Sequence, residues 1–375
     1  MSFDADLSVD LMGIRLKNPL VAEAAGYSVS DWGMKRLIKG GCGAVITKST
    51  TWDPLGGYPR AWEGTPQPRC YWVYDDAKHT LDGTEALQNP GYRKMSEFIR
   101  NVKPYADQHE AHIIGSLSPR SPEEAATIAR EFEKAGASAI HMDLICASAG
   151  PFRSLQYPGR GYEKLGRYWS QDAERLIEVI KATKDAIDIP LMPKTLVERH
   201  LPRPETIVEG YGKYLDGFAF DGHAPAFDID PYTAKPMYSK VGGEHIRYAT
   251  FRFTVEMAQL RTGKALLPSG GIHTAIDVVK LFMLGADAGG ICTALYRDPN
   301  VALQICADLE DYMVRQALDN LQSIKGISLR YLPEKGFPPI RESLLSQART
   351  LGEKYQGHIP GENPVPQELL ERNPD

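Results

Sequence analysis

The chain has little that would hold a metal cluster, a membrane or a nucleic acid. Its five cysteines, Cys42, Cys70, Cys146, Cys292 and Cys306, contain no Cys-x-x-Cys pair. That argues against an iron–sulfur cluster or a metal site on this chain. They are too few and too scattered for a disulfide scaffold, and they fit a reducing compartment, the cytoplasm. No run approaches the ~20 consecutive apolar residues that span a bilayer. The opening Met-Ser-Phe-Asp-Ala-Asp is acidic, unlike a secretion signal. A net charge of −5, with both signs well mixed, argues against coating a nucleic acid. No Gly-x-Gly-x-x-Gly follows a strand-like run, so a dinucleotide-binding domain is not expected.

What is present is an alternation of short apolar runs and amphipathic stretches along 375 residues. The strand-like runs are 20–24, 44–48, 112–117, 139–144, 190–194, 217–220, 266–269 and 289–292. Helix-like segments include 122–135, 173–186, 251–262 and 275–284, the last with Ile276, Val279, Lys280 and Met283 at helical spacing. Strands alternating with helices predict parallel βαβ units, and eight of them predict an α/β fold, a TIM (β/α)8 barrel. Residues 9–18 alternate around Met12-Gly13 and predict a hairpin capping the barrel bottom. Three segments, 50–90, 147–171 and 222–248, are too long for simple turns. Each follows a barrel strand, which places it on the catalytic face. The expected organisation is a barrel over 1–340 and a Pro-, Gly- and charge-rich extension over 341–375.

The chemistry gathers at the C-terminal ends of these strands, the face that carries barrel active sites. The run His141-Met-Asp-Leu-Ile-Cys146 ends in a lone thiol. A cysteine's ordinary pKa, roughly 8.5, lets it give or take a proton near neutrality. An inert buried thiol is the plainer alternative. Lys48 ends the second strand and Lys194 the fifth, where a solvated-surface role is hard to assign. Two lysines there suit the anionic edge of a reduced flavin. Ser269-Gly-Gly-Ile272 follows strand seven and Gly290-Ile-Cys-Thr-Ala294 ends strand eight. Those two loops commonly form the phosphate site of a barrel.

The order and spacing of several motifs resemble the dihydroorotate dehydrogenase family, including the flavin barrel of dihydropyrimidine dehydrogenases. The matching pieces are Leu16-Lys-Asn-Pro19, Ile46-Thr-Lys-Ser49, Pro66-Gln-Pro-Arg69, Leu87-Gln-Asn89, Asp143-Leu-Ile-Cys146, Asp228-Ile-Asp-Pro231, Gly242-Gly243, Ser269-Gly-Gly-Ile272 and Thr293-Ala-Leu-Tyr296. The resemblance spans about 7–331. It implies FMN across the barrel mouth, with Ala24 and Ala25 near the ring. Lys48, Ser49, Asp143 and Lys194 would contact the ring and ribityl chain. Gly242, Gly243, Gly270, Gly271, Cys292 and Thr293 would line the phosphate end. Cys146 matches the catalytic cysteine, with Lys48 beside it. Homo-oligomers, commonly dimers, are also implied.

Departures from the family pattern bear on substrate. Asparagines that read the substrate are replaced by Asp143, Ser148 and Asp221, while Asn89 is kept. An ionised aspartate only accepts hydrogen bonds. A site holding Asp143 and Asp221 favours a ring presenting N–H or O–H groups, or a cation, and disfavours the orotate carboxylate. His223 is either a second proton-transfer group or a satisfied structural histidine. Tyr157, Tyr162, Tyr168 and Trp169 either roof a flat substrate or pack their loop onto the barrel.

The expected activity is FMN-dependent oxidation or reduction of a C–C single or double bond in a cyclic or conjugated small molecule. Electrons would pass to a small acceptor or a separate redox protein. The alternatives are a true dihydroorotate or dihydropyrimidine dehydrogenase, a subunit that only relays electrons, and a non-redox aldolase or isomerase using Lys194 as a Schiff-base nucleophile.

Overall fold

The computed structural model describes residues 5–56, 72–75, 80–83, 87–146, 154, 158–196, 210, 212–229, 231–232, 234 and 236–332. The expected extension over 341–375 lies outside them. The described residues up to Arg330 form one compact unit.

The chain opens with the expected hairpin, β1 (Val9–Leu11) and β2 (Ile14–Leu16), paired antiparallel. Met12 and Gly13 both take positive φ, 59° and 80°. Such a two-residue turn matches the twist of the flanking strands. The barrel strands follow in order: β3 (Leu20–Ala22), β4 (Ala44–Ile46), then, after β5 (Trp72–Asp75) and β6 (Thr80–Gly83), β7 (His112–Leu117), β8 (Ala139–Asp143), β9 (Leu191–Leu196) and β10 (Gly217–Asp221). After β11 (Ala224–Ile229) and β12 (Pro236–Gly243) come β13 (Ala265–Ser269) and β14 (Gly289–Ile291). The closed barrel runs β10-β13-β14-β3-β4-β7-β8-β9. Every one of its eight strands falls on a predicted run, because a parallel strand covered on both faces is mostly apolar. The hairpin turn meets the barrel's lower rim, where a Cβ on Gly217 would stand 2.8 Å from Met12 Sδ.

The helices are α1 (Asp31–Lys39), α2 (Tyr92–Gln108), α3 (Pro122–Ala135), α4 (Arg167–Ser170), α5 (Ala173–Lys184), α6 (Arg247–Gln259), α7 (Ala275–Met283), α8 (Thr293–Arg297) and α9 (Val301–Gln316). Local chemistry sets their ends. Ser121 accepts from the Glu124 N–H to start α3, Pro122 fills its first turn, and Gly136 closes it at φ 101°. Thr274 and Asp277 form a capping box on α7. That helix buries Val278, Val279, Leu281 and Phe282, whereas Ile276 is 46% exposed. The core face is therefore rotated from the expected one. Helix α6 begins at Arg247, earlier than the expected 251. Docking of α3 on the barrel depends on Gly115, whose Cβ would lie 2.6 Å from the buried Phe132 ring.

The structure departs most from expectation in the segments 50–90 and 222–248. They are not plain loops. They contribute β6 and β5, and β11 and β12, to one antiparallel sheet in the order β11-β12-β6-β5. Its central seam pairs Gly243 with Thr80 and Lys240 with Gly83.

Candidate active site

Strand ends and the new sheet enclose one cavity at the barrel mouth. Its lining includes Ala24 and Ala25 after β3, Lys48 and Ser49 after β4, Asp143 and Cys146 at the end of β8, and Lys194 on β9. It also includes Asp221 and His223 at the end of β10, Gly242 on β12, Gly270 after β13, and Cys292 and Thr293 after β14. These are sequence-predicted residues from seven barrel strands and the sheet, brought into one space.

Three predicted residues, Asn89, Gly243 and Gly271, are not among the cavity lining. Ser148 lies outside the described residues, as does Tyr157. Asn89 does not line the cavity. It is 4% exposed and its amide is committed to the chain: Oδ1 accepts from the Thr51 and Gly91 N–H groups, and Nδ2 donates to Leu87 O. An amide that both donates and accepts closes a loop as well as it reads a ligand. Gly243 and Gly271 also stand behind the lining. Gly271, at φ 80°, lets the α6 start approach, since a Cβ would come within 2.4 Å of Arg247 N.

The described aromatic residues of segment 147–171, Tyr162, Tyr168 and Trp169, pack against neighbouring protein. Tyr162 is 2% exposed, in a small cluster with Leu55, Leu87 and Leu165 against which Cys146 rests. Arg120 lies over the Tyr162 ring and pairs with Glu124 at 2.6 Å and Asp53 at 3.3 Å. Trp169 donates to Pro119 O at 2.9 Å, and Tyr168 meets the Trp169 ring edge-on. None of the three lines the cavity.

The floor is a charged network that the sequence only half revealed. Lys194, 7% exposed, puts its ammonium 2.9 Å from Asp221 Oδ2 and 3.7 Å from Glu23 Oε2. Burial opposes the charge on Lys194, but Asp221, Glu23 and Asp143 overcome it and raise its pKa. Burial likewise works against an ionised Asp221, yet Lys194 and His223 hold it well below the usual carboxylate range. Burial pushes Glu23 upward, and its longer contact with Lys194 does not reverse this. Asp143 sits opposite Lys194 in the β8–β9 register. Against burial, Lys194, His141 and Ser49 hold it below its ordinary value.

Glu23 was missed within an apolar run; its signal was a single carboxylate in Leu-Val-Ala-Glu-Ala-Ala. Lys240, also missed, lines the cavity from β12. It reaches the mouth only through the sheet, which no local pattern announced. Beneath Asp143, two residues back on the same side of β8, His141 is fully buried. Burial and the nearby Lys194 push its pKa down to about 3. Ser116 Oγ lies 2.8 Å from its Nδ1 and 3.1 Å from Ser49 Oγ.

At the other end, the loops after β10 and β13 meet by close backbone approach. Gly270, at φ 107°, would place a Cβ 2.6 Å from Gly222 O. Thr250 Oγ1, in the first turn of α6, reaches Gly270 O at 2.9 Å. Gly242 faces Thr293 Oγ1, only 3.5 Å from where its Cβ would stand. Glycine backbone, a threonine hydroxyl and a helix start are donors suited to a phosphate. Small Ala24 and Ala25 with Lys48 and Lys194 suit a flat, electron-accepting ring. The residues present thus fit FMN. Gly270→Ala is expected to cost about 1–3 kcal/mol through its positive φ and the Gly222 contact, read as a lowered midpoint in thermal unfolding.

The sequence is similar to that of known proteins. The family model described as dihydroorotate dehydrogenase matches residues 6–190. The chain is 25% identical over 333 residues to a protein of Thermoplasma volcanium named dihydroorotate dehydrogenase B (NAD(+)), catalytic subunit, covering 87% of this chain and 99% of that one. Relatives of the same name from Methanothermobacter thermautotrophicus and Pyrococcus horikoshii are 26% and 28% identical, each over 86% of this chain and 98% of theirs. With relatives matched over nearly their whole length and the barrel in place, the chain is similar to dihydroorotate dehydrogenases over most of its length.

Proposed function

We propose that this protein is an FMN-dependent oxidoreductase that oxidises or reduces a C–C bond of a cyclic or conjugated small molecule. The observation that carries this is the shared cavity: Cys146, Lys48, Lys194 and the Gly242–Gly270–Thr293 end all line it. FMN, when bound, supplies a carrier for two electrons and a hydride. The chain's residues do the rest. Cys146 holds or takes the proton at the reacting carbon. Lys48 and Lys194 keep positive charge at the ring edge, and Ala24 and Ala25 leave room for it. Gly242, Gly270 and Thr293 present donors to the phosphate.

The acceptor-only carboxylates Asp143 and Asp221 favour a substrate that donates N–H or O–H groups over one carrying its own carboxylate. Dihydroorotate or a dihydropyrimidine is the second reading, supported by the names of the relatives. The words "catalytic subunit" in those names support an electron-transfer partner subunit here, and a small acceptor would serve the same need. Cys42, Cys146 and Cys306 are free thiols, in keeping with the cytoplasm. Among the described residues no helix is long and apolar enough to cross a membrane. A homodimer is the assembly implied by the family. A Schiff-base aldolase is disfavoured, because Lys194 is kept protonated by two carboxylates and an amine nucleophile must be neutral.

The purified protein is expected to be yellow and to release FMN on denaturation. Its reduced form should be reoxidised by members of a panel of unsaturated ring compounds. A colourless protein would sink the reading. Robust dihydroorotate turnover with a dye acceptor would refute the substrate argument alone.

A further inference from the structure

His223 lines the same cavity as Cys146, and the carbon proton that Cys146 handles gives it no task. Its Nδ1 lies 3.2 Å from Asp221 Oδ2, the oxygen that also holds the Lys194 ammonium at 2.9 Å. Asp221 is ionised and can only accept, so Nδ1 carries the hydrogen and Nε2 keeps a lone pair. The charged groups facing the ring are Asp221 on β10, Lys194 on β9 and Lys240 on β12. Burial first, then Lys240, pushes the imidazole below its ordinary value, against Asp221. At neutral pH it is an uncharged base whose orientation is fixed by a carboxylate, an arrangement that recurs wherever histidine moves protons.

We propose that His223 is a second proton-transfer residue, acting on a ring hydroxyl conjugated with the reacting bond, so that the substrate is a hydroxyarene or cyclic enol. This rests on the oxidoreductase reading of the same cavity. The neighbours suit such a ring. Asp143 accepts a further O–H, while Lys48 and Lys240 favour charge on oxygen.

In the reducing direction the ring O–H breaks and its proton goes to Nε2. The oxygen pair forms C=O, and a ring carbon takes the S–H proton of Cys146. Reduced FMN, when bound, would supply the hydride that the conjugated C=C accepts. The pair displaced onto oxygen then recovers the proton from Nε2. One hydride and one Cys146 proton are consumed, and His223 ends as it began. Oxidation is the same sequence reversed.

The test uses 4-nitrophenol, whose ionised form is coloured, with the FMN-loaded protein. Difference spectra should show the probe bound as phenolate at a pH where it is neutral in water. In His223→Gln that bound phenolate should weaken by about tenfold or more, the worth of a hydrogen bond to a charged group, while flavin content is unchanged. As a measurement independent of any variant, 15N spectra of histidine-labelled wild type should contain a resonance that shifts on adding 4-nitrophenol. It should show the Nδ1–H tautomer, titrating below the ordinary histidine value. A phenolate band equal in wild type and His223→Gln, absence of probe binding, or an Nε2–H tautomer overturns the role of His223 and leaves a yellow oxidoreductase standing. A colourless protein overturns both.

Discussion

Replacing Cys146 by alanine is expected to lower turnover by about 10²–10⁴-fold, the usual worth of a positioned acid or base, with FMN content unchanged. The geometry around residue 146 does not depend on its sulfur. Its carbonyl accepts from Arg167 N at 3.4 Å, and Gly166 crosses so closely that a Cβ there would come within 2.3 Å of Cys146 O. The side chain rests on the small cluster of Leu55, Leu87, Tyr162 and Leu165, which alanine leaves in place. A loss of rate therefore reads as lost proton transfer. Reduction of the bound flavin by an artificial donor should proceed normally in Cys146→Ala, while substrate-dependent reoxidation fails. Equal turnover in variant and wild type would make the protein an electron relay and remove the thiol from the mechanism.

Lys194→Met should cost about 3–5 kcal/mol of stability, the penalty for leaving buried charges without their partner. Two carboxylates pair directly with that ammonium, Asp221 at 2.9 Å and Glu23 at 3.7 Å. The pH dependence has a definite sign. In the wild type, Asp221 titrates below its ordinary value. Its contribution is present above the unfolded carboxylate pKa and is lost as pH falls through the folded one. Glu23 titrates above its ordinary value, so its contribution runs the other way and is lost as pH rises. Without Lys194 both carboxylates favour the protonated form, and the variant should gain stability on acidification from neutral pH. Urea midpoints between pH 7 and pH 5 check this. Adding Glu23→Gln and Asp221→Asn to Lys194→Met should restore much of the loss. A single variant as stable as wild type, with a flat pH profile, would mean the network carries little energy.

The barrel was readable because parallel strands buried on both faces leave unbroken apolar runs, and chemistry clusters at their C-terminal ends by topology. Cys146, Lys48 and Lys194 are reactive or charged residues where such runs stop, which makes them conspicuous. Glu23 escaped because one carboxylate inside an apolar run looks like an edge effect. Its meaning depends on Lys194, 171 positions away. Asn89 was readable as a polar residue with a task, but an amide's donor and acceptor do not say whether the partner is ligand or backbone. The sheet escaped for a different reason. Strands β5 and β6 are four residues each, and the pairing of β6 with β12 has no local signature, since neither strand announces its partner.

That pairing has a consequence for how the protein is made. Thr80 finds Gly243 only after the ribosome has extended the chain by more than 160 further residues. A nascent chain that already carries Cys146 therefore has no roof over it, and its unpaired β6 edge is open to other chains until Pro236–Gly243 emerges. Assembly of the mouth is among the last events of biosynthesis, and chaperone demand should peak while that edge waits.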